Sequence, residues 1–146
     1  MNEPIRDSKG LQIVLMADDD EDDRFLMGNA FRTALCKHEL RFVKDGEELM
    51  EYLLGRGKFA DPEFAPRPSL ILLDLNMPKR DGREILPTIK TDQKLMDIPI
   101  VIWTTSDLEE DRILCQTAGA DAFLNKPDNY EDLEKAVRKL CEEWLA

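Results

Sequence analysis

The stretch SLILLDL, residues 69–75, is an almost unbroken apolar run with one aspartate near its end. Two further runs of the same kind are LQIVLMA (11–17) and IPIVIWT (98–104). These runs do not alternate between apolar and polar residues, as a strand with one solvent-facing side would. Continuous apolar runs are typical of strands in a parallel sheet that is covered by helices on both faces. The three runs therefore predict the centre of such a sheet.

Two shorter runs, LRFVK (40–44) and DAFLN (121–125), predict two more strands, and segments with helical periodicity separate the five strands. Four of these segments begin with a side-chain acceptor followed three residues later by glutamate, which is the spacing of a helix capping box. The pairs are Asp45/Glu48, Asp81/Glu84, Ser106/Glu109 and Asp128/Glu131. This alternation predicts the α/β class, with a (βα)₅ doubly wound, five-stranded parallel sheet.

Two features interrupt this regular pattern. The segment 55–68 is rich in glycine and proline and is longer than a usual connection, so it is interpreted either as a partner-contact loop or as a tolerated insertion. Pro87 lies inside the predicted third helix, where its missing N–H predicts a late helix start or a kink.

Length and charge limit the classes of protein that the chain can represent. Its 146 residues are expected to form one domain, residues 11–146, after an N-terminal extension of residues 1–10. The net charge of −11 argues against direct binding of nucleic acid. No apolar run approaches the length of a membrane span, and the N-terminus lacks the apolar core of a signal peptide. These features predict a cytoplasmic protein that does not bind membranes.

The cysteines support the same location. Cys36, Cys115 and Cys141 are an odd number without a CxxC spacing, so they are interpreted as reduced, buried thiols rather than a disulfide framework or a zinc site.

Polar side chains collect at the predicted carboxyl ends of four strands. Asp18 and Asp19 follow the first strand, Asp74 ends the third, Thr104 ends the fourth and Lys126 follows the fifth. In an open parallel sheet, ligands bind in the crevice beyond these strand ends. Carboxylates from two strands offer the oxygen ligands that Mg²⁺ prefers. We therefore predict a Mg²⁺ site at Asp18, Asp19 and Asp74.

The same residues suit phosphoryl chemistry. A carboxylate can act as a nucleophile and form an acyl phosphate, and Asp74 is the candidate because it stands apart from the other pair. Lys126 and Thr104 could bind phosphoryl oxygens, and the backbone carbonyl of Asn76 could join the metal ligands. The acids at 20–23 are interpreted as the solvated first turn of the first helix.

Four blocks of the sequence resemble, in order, the signature blocks of the receiver domain of two-component response regulators. They are IVLMADDDEDDR (13–24), LILLDLNMPKRDGREIL (70–86), IVIWTTS (100–106) and GADAFLNKP (119–127). The resemblance covers nearly all of residues 11–145 and implies the flavodoxin-like receiver fold. The long loop and the ending EEWLA further resemble stand-alone, phytochrome-associated response regulators.

The resemblance implies a role for each matched residue. Asp74 is the phosphoacceptor; Asp18 and Asp19 hold Mg²⁺ with Asp74 and the Asn76 carbonyl; Thr104 is the switch hydroxyl, Phe123 the switch aromatic and Lys126 the phosphoryl-binding lysine. It also implies a cis peptide bond between Lys126 and Pro127.

The phosphoryl group is expected to come from another molecule. The only histidine, His38, lies in a predicted surface turn and does not suit a donor role. The resemblance implies a sensor histidine kinase, with a phytochrome-like kinase as one candidate, or a histidine phosphotransfer protein. Rotation of Phe123 would then reshape the surface of the fourth helix, fifth strand and fifth helix, where we expect a partner or a second copy in a homodimer.

Two alternatives remain at this point. A phosphorylation-independent interaction module would not need the intact set of site residues. A phosphohydrolase with an aspartyl-phosphate intermediate commonly carries a second aspartate in a DxD motif, whereas the chain has DLN from Asp74. A regulator that catalyses only its own phosphorylation and dephosphorylation, and is not otherwise an enzyme, fits the residues better than either.

Overall fold

The computed structural model describes residues 11–34 and 36–145, so the predicted extension of residues 1–10 lies outside the described residues. Within them the strands are β1 (Ile13–Ala17), β2 (Glu39–Val43), β3 (Leu70–Leu73), β4 (Ile100–Thr104) and β5 (Ala122–Asn125). They form one sheet of order β2-β1-β3-β4-β5, and every neighbouring pair is parallel. The five predicted strands are therefore confirmed.

Helices connect successive strands. They are α1 (Glu21–Thr33), α2 (Gly46–Leu54), α3 (Gly82–Lys90), α4 (Glu109–Thr117) and α5 (Tyr130–Trp144), with a short 3₁₀ helix at Gly57–Phe59. None of the helices in the described ranges is both long enough and apolar enough to cross a membrane.

Alternate residues of β1 face two separate cores. Leu15 and Ala17 pack in the core that α2, α3 and α4 cover, whereas Val14 and Met16 pack in the core that α1 and α5 cover. All four side chains are almost inaccessible to solvent. Burial on both faces explains why the strand sequences are continuously apolar, and it confirms the doubly wound fold.

Two of the predicted helix starts are confirmed. The carboxylate of Asp45 accepts a hydrogen bond from the backbone N–H of Glu48 at 2.7 Å, and that of Asp81 accepts one from Arg83 at 2.8 Å. The helix after Asp81 contains Pro87 but begins at Gly82, so the predicted late start is wrong. The cap at Asp81 fixes the first turn before the proline is reached.

The other two predicted helix starts are wrong. Helix α4 begins after Leu108, because the hydroxyl of Ser106 donates a hydrogen bond to Asp111 instead of capping the helix. Helix α5 is capped by Asn129 rather than Asp128, and the Asn129 side chain accepts the backbone N–H of Asp132 at 2.9 Å.

The segment 55–68 is anchored to the domain. The ring of Phe59 is buried and lies 5.1 Å from Tyr52 and 6.2 Å from Phe64, measured between ring centroids. The Tyr52 hydroxyl also donates a hydrogen bond to the carbonyl of Pro66 at 2.8 Å. These contacts fix the loop against α2, although its sequence predicted no regular structure.

The cysteine prediction is wrong for two of the three residues. Cys36 and Cys141 form a disulfide, with Cα atoms 6.7 Å apart, whereas Cys115 is a buried free thiol as predicted. Packing of α1 against α5 brings together cysteines that are 105 residues apart, which a search for local CxxC spacing does not detect.

The single histidine is also placed differently from the prediction. His38 is only 9% exposed, and its Nδ1 atom accepts a hydrogen bond from the backbone N–H of Gln12 at 3.0 Å. A hydrogen bond from the Glu39 N–H to the Gln12 carbonyl, at the start of the β1–β2 pairing, holds the turn that contains His38 against the start of β1.

Candidate functional site

The predicted site residues lie at one edge of the sheet. Asp18 and Asp19 follow β1, Asp74 follows β3, Thr104 is the last residue of β4 and Lys126 follows β5. Backbone hydrogen bonds continue the strand pairing into this edge, from the Asp74 N–H to the Ala17 carbonyl and from the Lys126 N–H to the Thr104 carbonyl. The parallel sheet therefore brings four strand ends to one place, as the sequence predicted.

Lys126 is the centre of the cluster. Its Nζ atom lies 2.8 Å from Asp18 Oδ2, 3.0 Å from Asp74 Oδ2 and 2.7 Å from Asp23 Oδ2. The lysine side chain is only 11% exposed. One compact ammonium group thus bonds three carboxylates that come from two strand ends and from α1.

Asp23 was assigned by sequence to the solvated first turn of α1. It does lie in that turn, but its carboxylate also contacts Lys126, which the sequence did not predict. The first turn of α1 directs the Asp23 carboxylate towards Lys126, where its side chain is 34% exposed. Sequence alone did not separate Asp23 from its acidic neighbours, because its role depends on how the helix is rotated over the sheet edge.

Burial and charge act in opposite directions on the ionisation of this cluster. Burial alone would lower the pKa of Lys126. The hydrogen bonds to Asp18 and Asp23, followed by the charge of Asp74, outweigh burial and raise this pKa above its ordinary value. Burial raises the pKa of Asp18, although hydrogen bonding and attraction by Lys126 oppose the shift. The cluster therefore holds a lysine that stays charged, and the negative charge of the surrounding carboxylates exceeds its single positive charge.

The carboxylates fit a divalent cation. One oxygen from each of Asp18, Asp19 and Asp74 lies within 4.8 Å of the others. Asp18 and Asp74 are buried while Asp19 is exposed, so the cluster has a protein side and a solvent side. An all-oxygen set with one open side suits a hard cation that keeps several water ligands. The Asn76 N–H donates to Asp74 Oδ1 at 3.3 Å, and its carbonyl stays a predicted ligand.

Of the two predicted switch residues, Thr104 lies beside this cluster and Phe123 lies away from it. Thr104 is fully buried, and its Oγ1 atom accepts a hydrogen bond from the Ser106 N–H at 3.2 Å. Phe123 is half-buried on the α4 side of the sheet, where the guanidinium carbon of Arg112 lies 4.6 Å from the ring centroid. Their switching roles stay predictions.

The predicted cis peptide bond is contradicted. No peptide bond in the described ranges is cis, so the Lys126–Pro127 bond is trans. The trans form is intrinsically favoured for a bond before proline by about 0.5–1 kcal/mol. The Lys126 ammonium reaches its three carboxylates with this trans bond in place.

Sequence reasoning missed a second ionic cluster next to the site. Arg83 donates hydrogen bonds to Asp111 on α4 from Nε at 2.7 Å and from Nη2 at 2.8 Å. Arg83 also bonds Asp81, and Asp111 accepts the Ser106 hydroxyl at 2.6 Å. No motif marks Arg83 or Asp111, because their pairing depends on how α3 packs beside α4.

Comparison with known proteins agrees with this geometry. The family model of the response regulator receiver domain matches residues 14–138. Response regulator Rcp1 of Synechocystis sp. is 39% identical over 92% of this chain and 89% of its own length.

Solved structures give the same result. The Mn²⁺-bound form of Rcp1 matches with a TM-score of 0.82, covering 92% of this chain and 94% of that one, at 39% identity. The phosphorylated cyanobacterial phytochrome response regulator RcpA matches with a TM-score of 0.84 at 36% identity and the same coverage. Response regulator RPA3017, in red light signaling of R. palustris, reaches 0.87 at 36% identity and the same coverage. By its matched sequence, its sheet order and the residues at its strand ends, the chain belongs to the response regulator receiver domain family of two-component signal transduction.

Proposed function

We propose that this response regulator accepts one phosphoryl group on Asp74, with Mg²⁺ bound by Asp18, Asp19 and Asp74. The observation that carries the proposal is the contact between Asp74 Oδ2 and Lys126 Nζ at 3.0 Å beside the other two carboxylates. A nucleophile, a cation for the phosphoryl oxygens and a set of metal ligands are thereby gathered around one atom.

The reaction follows from these groups. An oxygen of the ionised Asp74 attacks the phosphorus of a phosphohistidine, the P–N bond breaks, and the departing imidazole nitrogen takes up a proton. The product is an acyl phosphate on Asp74, which water later cleaves to the carboxylate and inorganic phosphate. Lys126 exchanges a carboxylate contact for a phosphoryl oxygen, and Thr104 donates its hydroxyl to another oxygen. Bound Mg²⁺ would offset the negative charge that the carboxylates and the phosphoryl group place together.

Several properties of the protein support Mg²⁺ as the cation. The ligand set contains only oxygen atoms, and the exposed side at Asp19 leaves room for water ligands. The Mn²⁺-bound form of Rcp1 shows that a relative holds a divalent cation. The backbone carbonyl of Asn76 is proposed as a further ligand, because it lies two residues beyond Asp74 in the same loop.

The donor is proposed to be a sensor histidine kinase or a histidine phosphotransfer protein. His38 is buried and its Nδ1 atom already accepts a hydrogen bond, so it does not suit phosphoryl donation. A phytochrome-like kinase is favoured by the similarity to RcpA, a phytochrome response regulator. Proteins of this family are signalling proteins rather than classical enzymes, so chemistry at Asp74 would serve to change binding.

The output is proposed to run from Thr104 to Phe123. Inward rotation of the Thr104 hydroxyl would vacate space for the Phe123 ring and change the surface formed by α4, β5 and α5. That surface would bind the partner or a second copy of the chain. We further propose that residues 11–146 form the single receiver domain after an extension of residues 1–10, and that the protein is cytoplasmic.

The test is incubation with acetyl phosphate and Mg²⁺, followed by intact-mass measurement. We expect a gain of one phosphoryl group in the wild type, no gain after Asp74→Asn, and no gain when EDTA removes the cation. Asp45→Asn is the matched control, because Asp45 is another buried aspartate, caps α2 and lies outside the cluster. A gain of mass in Asp74→Asn would refute Asp74 as acceptor. No gain in the wild type would favour a phosphorylation-independent interaction module.

A further inference from the structure

The segment that follows β4 is held by a buried carboxylate. Asp111, on α4, is 5% exposed and accepts two hydrogen bonds from Arg83 and one from the Ser106 hydroxyl. A carboxylate that accepts three charge-assisted or hydroxyl bonds is firmly oriented. Ser106 is therefore fixed to a point on α4 that is itself fixed to α3.

Ser106 in turn holds the threonine of the site. Its backbone N–H donates to Thr104 Oγ1 at 3.2 Å, and its carbonyl accepts a hydrogen bond from the Asn125 side chain at 2.6 Å. Thr104 thus keeps a local partner within its own loop. A change in the Thr104 side-chain rotamer, which moves Oγ1, would break this hydrogen bond unless the loop moved with it.

Arg83 links the same arrangement to the loop that follows Asp74. It donates to both carboxylate oxygens of Asp81, the N-cap of α3, at 3.0 and 3.1 Å. It also approaches the side-chain oxygen of Asn76 at 3.3 Å. The guanidinium group therefore links the loop that leaves β3 to Asp111, and through Asp111 to Ser106 in the loop that leaves β4.

We propose that Asp111 is a positioning residue that, through Ser106, holds Thr104 in the conformation in which it accepts the Ser106 N–H, and so slows phosphoryl capture at Asp74. This inference rests on the proposed function. These contacts order the loop that follows β4, so they stabilise the arrangement in which Thr104 Oγ1 accepts the Ser106 N–H. A state that captures the phosphoryl group more readily gains population when these contacts are removed.

Ser106→Ala is the sharpest test, because it removes the loop contact while the Arg83–Asp111 pair remains. The rate of phosphorylation by acetyl phosphate at saturating Mg²⁺ should rise about fivefold, the population change that corresponds to one hydrogen bond of ordinary strength. Hydrogen exchange of the amides at 105–108 should also become faster in the unphosphorylated protein. Thr88→Ala is the matched control, because Thr88 is an exposed hydroxyl on α3 outside this network.

Asp111→Asn supplies the second variant. It should also raise the rate, and the double variant with Ser106→Ala should be no faster than the faster single variant, because the two residues act through one contact. If Asp111 only held α3 and α4 together, Asp111→Asn would lower the midpoint of thermal unfolding without raising the phosphorylation rate.

The outcomes separate this inference from the proposed function. A wild type that gains a phosphoryl group at Asp74, together with a Ser106→Ala rate equal to or below that of the wild type, overturns the positioning role alone. A wild type that gains no phosphoryl group overturns the proposed function, and the inference falls with it.

Discussion

Two cation–carboxylate clusters lie side by side in this protein, and they are built differently. Lys126 meets three carboxylates, each through one contact of a compact ammonium group, and Asp19 lies close to two of them. Arg83 meets Asp111 through two nearly parallel hydrogen bonds from a planar group. The lysine contacts can be exchanged one at a time, whereas the arginine pair is geometrically matched. The first arrangement suits a reactive site. The second suits a fixed structural link between α3 and α4, which we call the latch.

The ionisation of one buried aspartate from each cluster, Asp111 and Asp18, follows the same division. Hydrogen bonds from Arg83, then from Ser106, lower the pKa of Asp111 to about 2. Burial instead raises the pKa of Asp18, despite its contact with Lys126. An aspartate whose charge is compensated adds stability, while an aspartate that is short of positive charge is available for a further cation.

The largest effect should come from removing each cation. Arg83→Met leaves the Asp111 carboxylate buried beside one hydroxyl, and we expect a loss of about 3–5 kcal/mol in the free energy of unfolding. Lys126→Met leaves three carboxylates without their shared cation, and we expect a loss of similar size. Denaturant unfolding measures both losses.

Addition of Mg²⁺ sharpens this comparison. A cation that binds the folded state at a concentration 100 times its Kd adds about 2.7 kcal/mol. Mg²⁺ stabilises the wild type and both variants in this way, so the gap to the wild type changes only where the Mg²⁺ affinity changes. Lys126→Met removes the cation that competes for the carboxylates and should bind Mg²⁺ more tightly, which narrows its gap. Arg83→Met leaves the Lys126 cluster intact, so its gap should stay the same. Equal restoration of the two variants relative to the wild type would contradict the division between a reactive cluster and a latch.

The next prediction concerns a substitution that should change the Mg²⁺ affinity but leave the free energy of unfolding almost unchanged. Asp19 is exposed, so Asp19→Asn should change the free energy of unfolding by less than about 0.5 kcal/mol in the absence of metal. It should weaken Mg²⁺ binding by about tenfold or more, since even groups behind metal ligands alter affinity by 10–100-fold. Calorimetric titration with Mg²⁺ measures the change, and Asp20→Asn is the control on the adjacent residue. An unchanged affinity would remove Asp19 from the ligand set.

The sequence was sufficient for the sheet and for the residues that follow its strands. Asp74 and Lys126 could be placed together without a structure, because the carboxyl ends of parallel strands meet at one edge. The identity of each strand came from its own apolar run, such as residues 69–75, and needed no knowledge of distant contacts.

Contacts between helices were not predictable in the same way. The Arg83–Asp111 pair and the Cys36–Cys141 disulfide depend on how two helices pack, over separations of 28 and 105 residues. The first turn of α1 offers several acids, and only the rotation of the helix selects Asp23 for Lys126. Charge and spacing predict which residues are polar, but not which polar residues meet.

A pH titration should show that Asp111 and Asp18 change the free energy of unfolding in opposite directions. The pKa of Asp111 is lowered on folding, so its stabilisation is fully present above about pH 4, its ordinary range, and is lost as the pH falls towards 2. The pKa of Asp18 is raised, so its ionisation costs stability at neutral pH and the cost disappears in acid. At pH 7 without metal, Asp111→Asn should be less stable than the wild type and Asp18→Asn more stable. Both differences should shrink below pH 4.

Urea unfolding between pH 7 and pH 3 measures these differences. Asp92→Asn, which replaces a partly exposed aspartate outside both clusters, is the control for the change in net charge. If Asp18→Asn and Asp111→Asn shifted stability in the same direction at pH 7, the two clusters would not differ as their pKa shifts indicate.

The smallest change in the phosphorylation rate is expected at Asp23, the partly exposed carboxylate that contacts Lys126. Lys126 keeps Asp18 and Asp74 after Asp23→Asn, so the free energy of unfolding should fall by less than about 1 kcal/mol. Removing one negative charge should let an anionic donor approach more readily, and phosphorylation by acetyl phosphate should become about twofold faster at low ionic strength. This gain should vanish in high salt, because the Debye length falls to about 3 Å at 1 M. Asp22→Asn, an exposed neighbour whose carboxylate does not contact Lys126 among the described residues, should give a smaller increase. Loss of phosphorylation in Asp23→Asn would instead make Asp23 an essential holder of the lysine, and the cluster would then resemble the latch at Arg83 more than a set of exchangeable contacts.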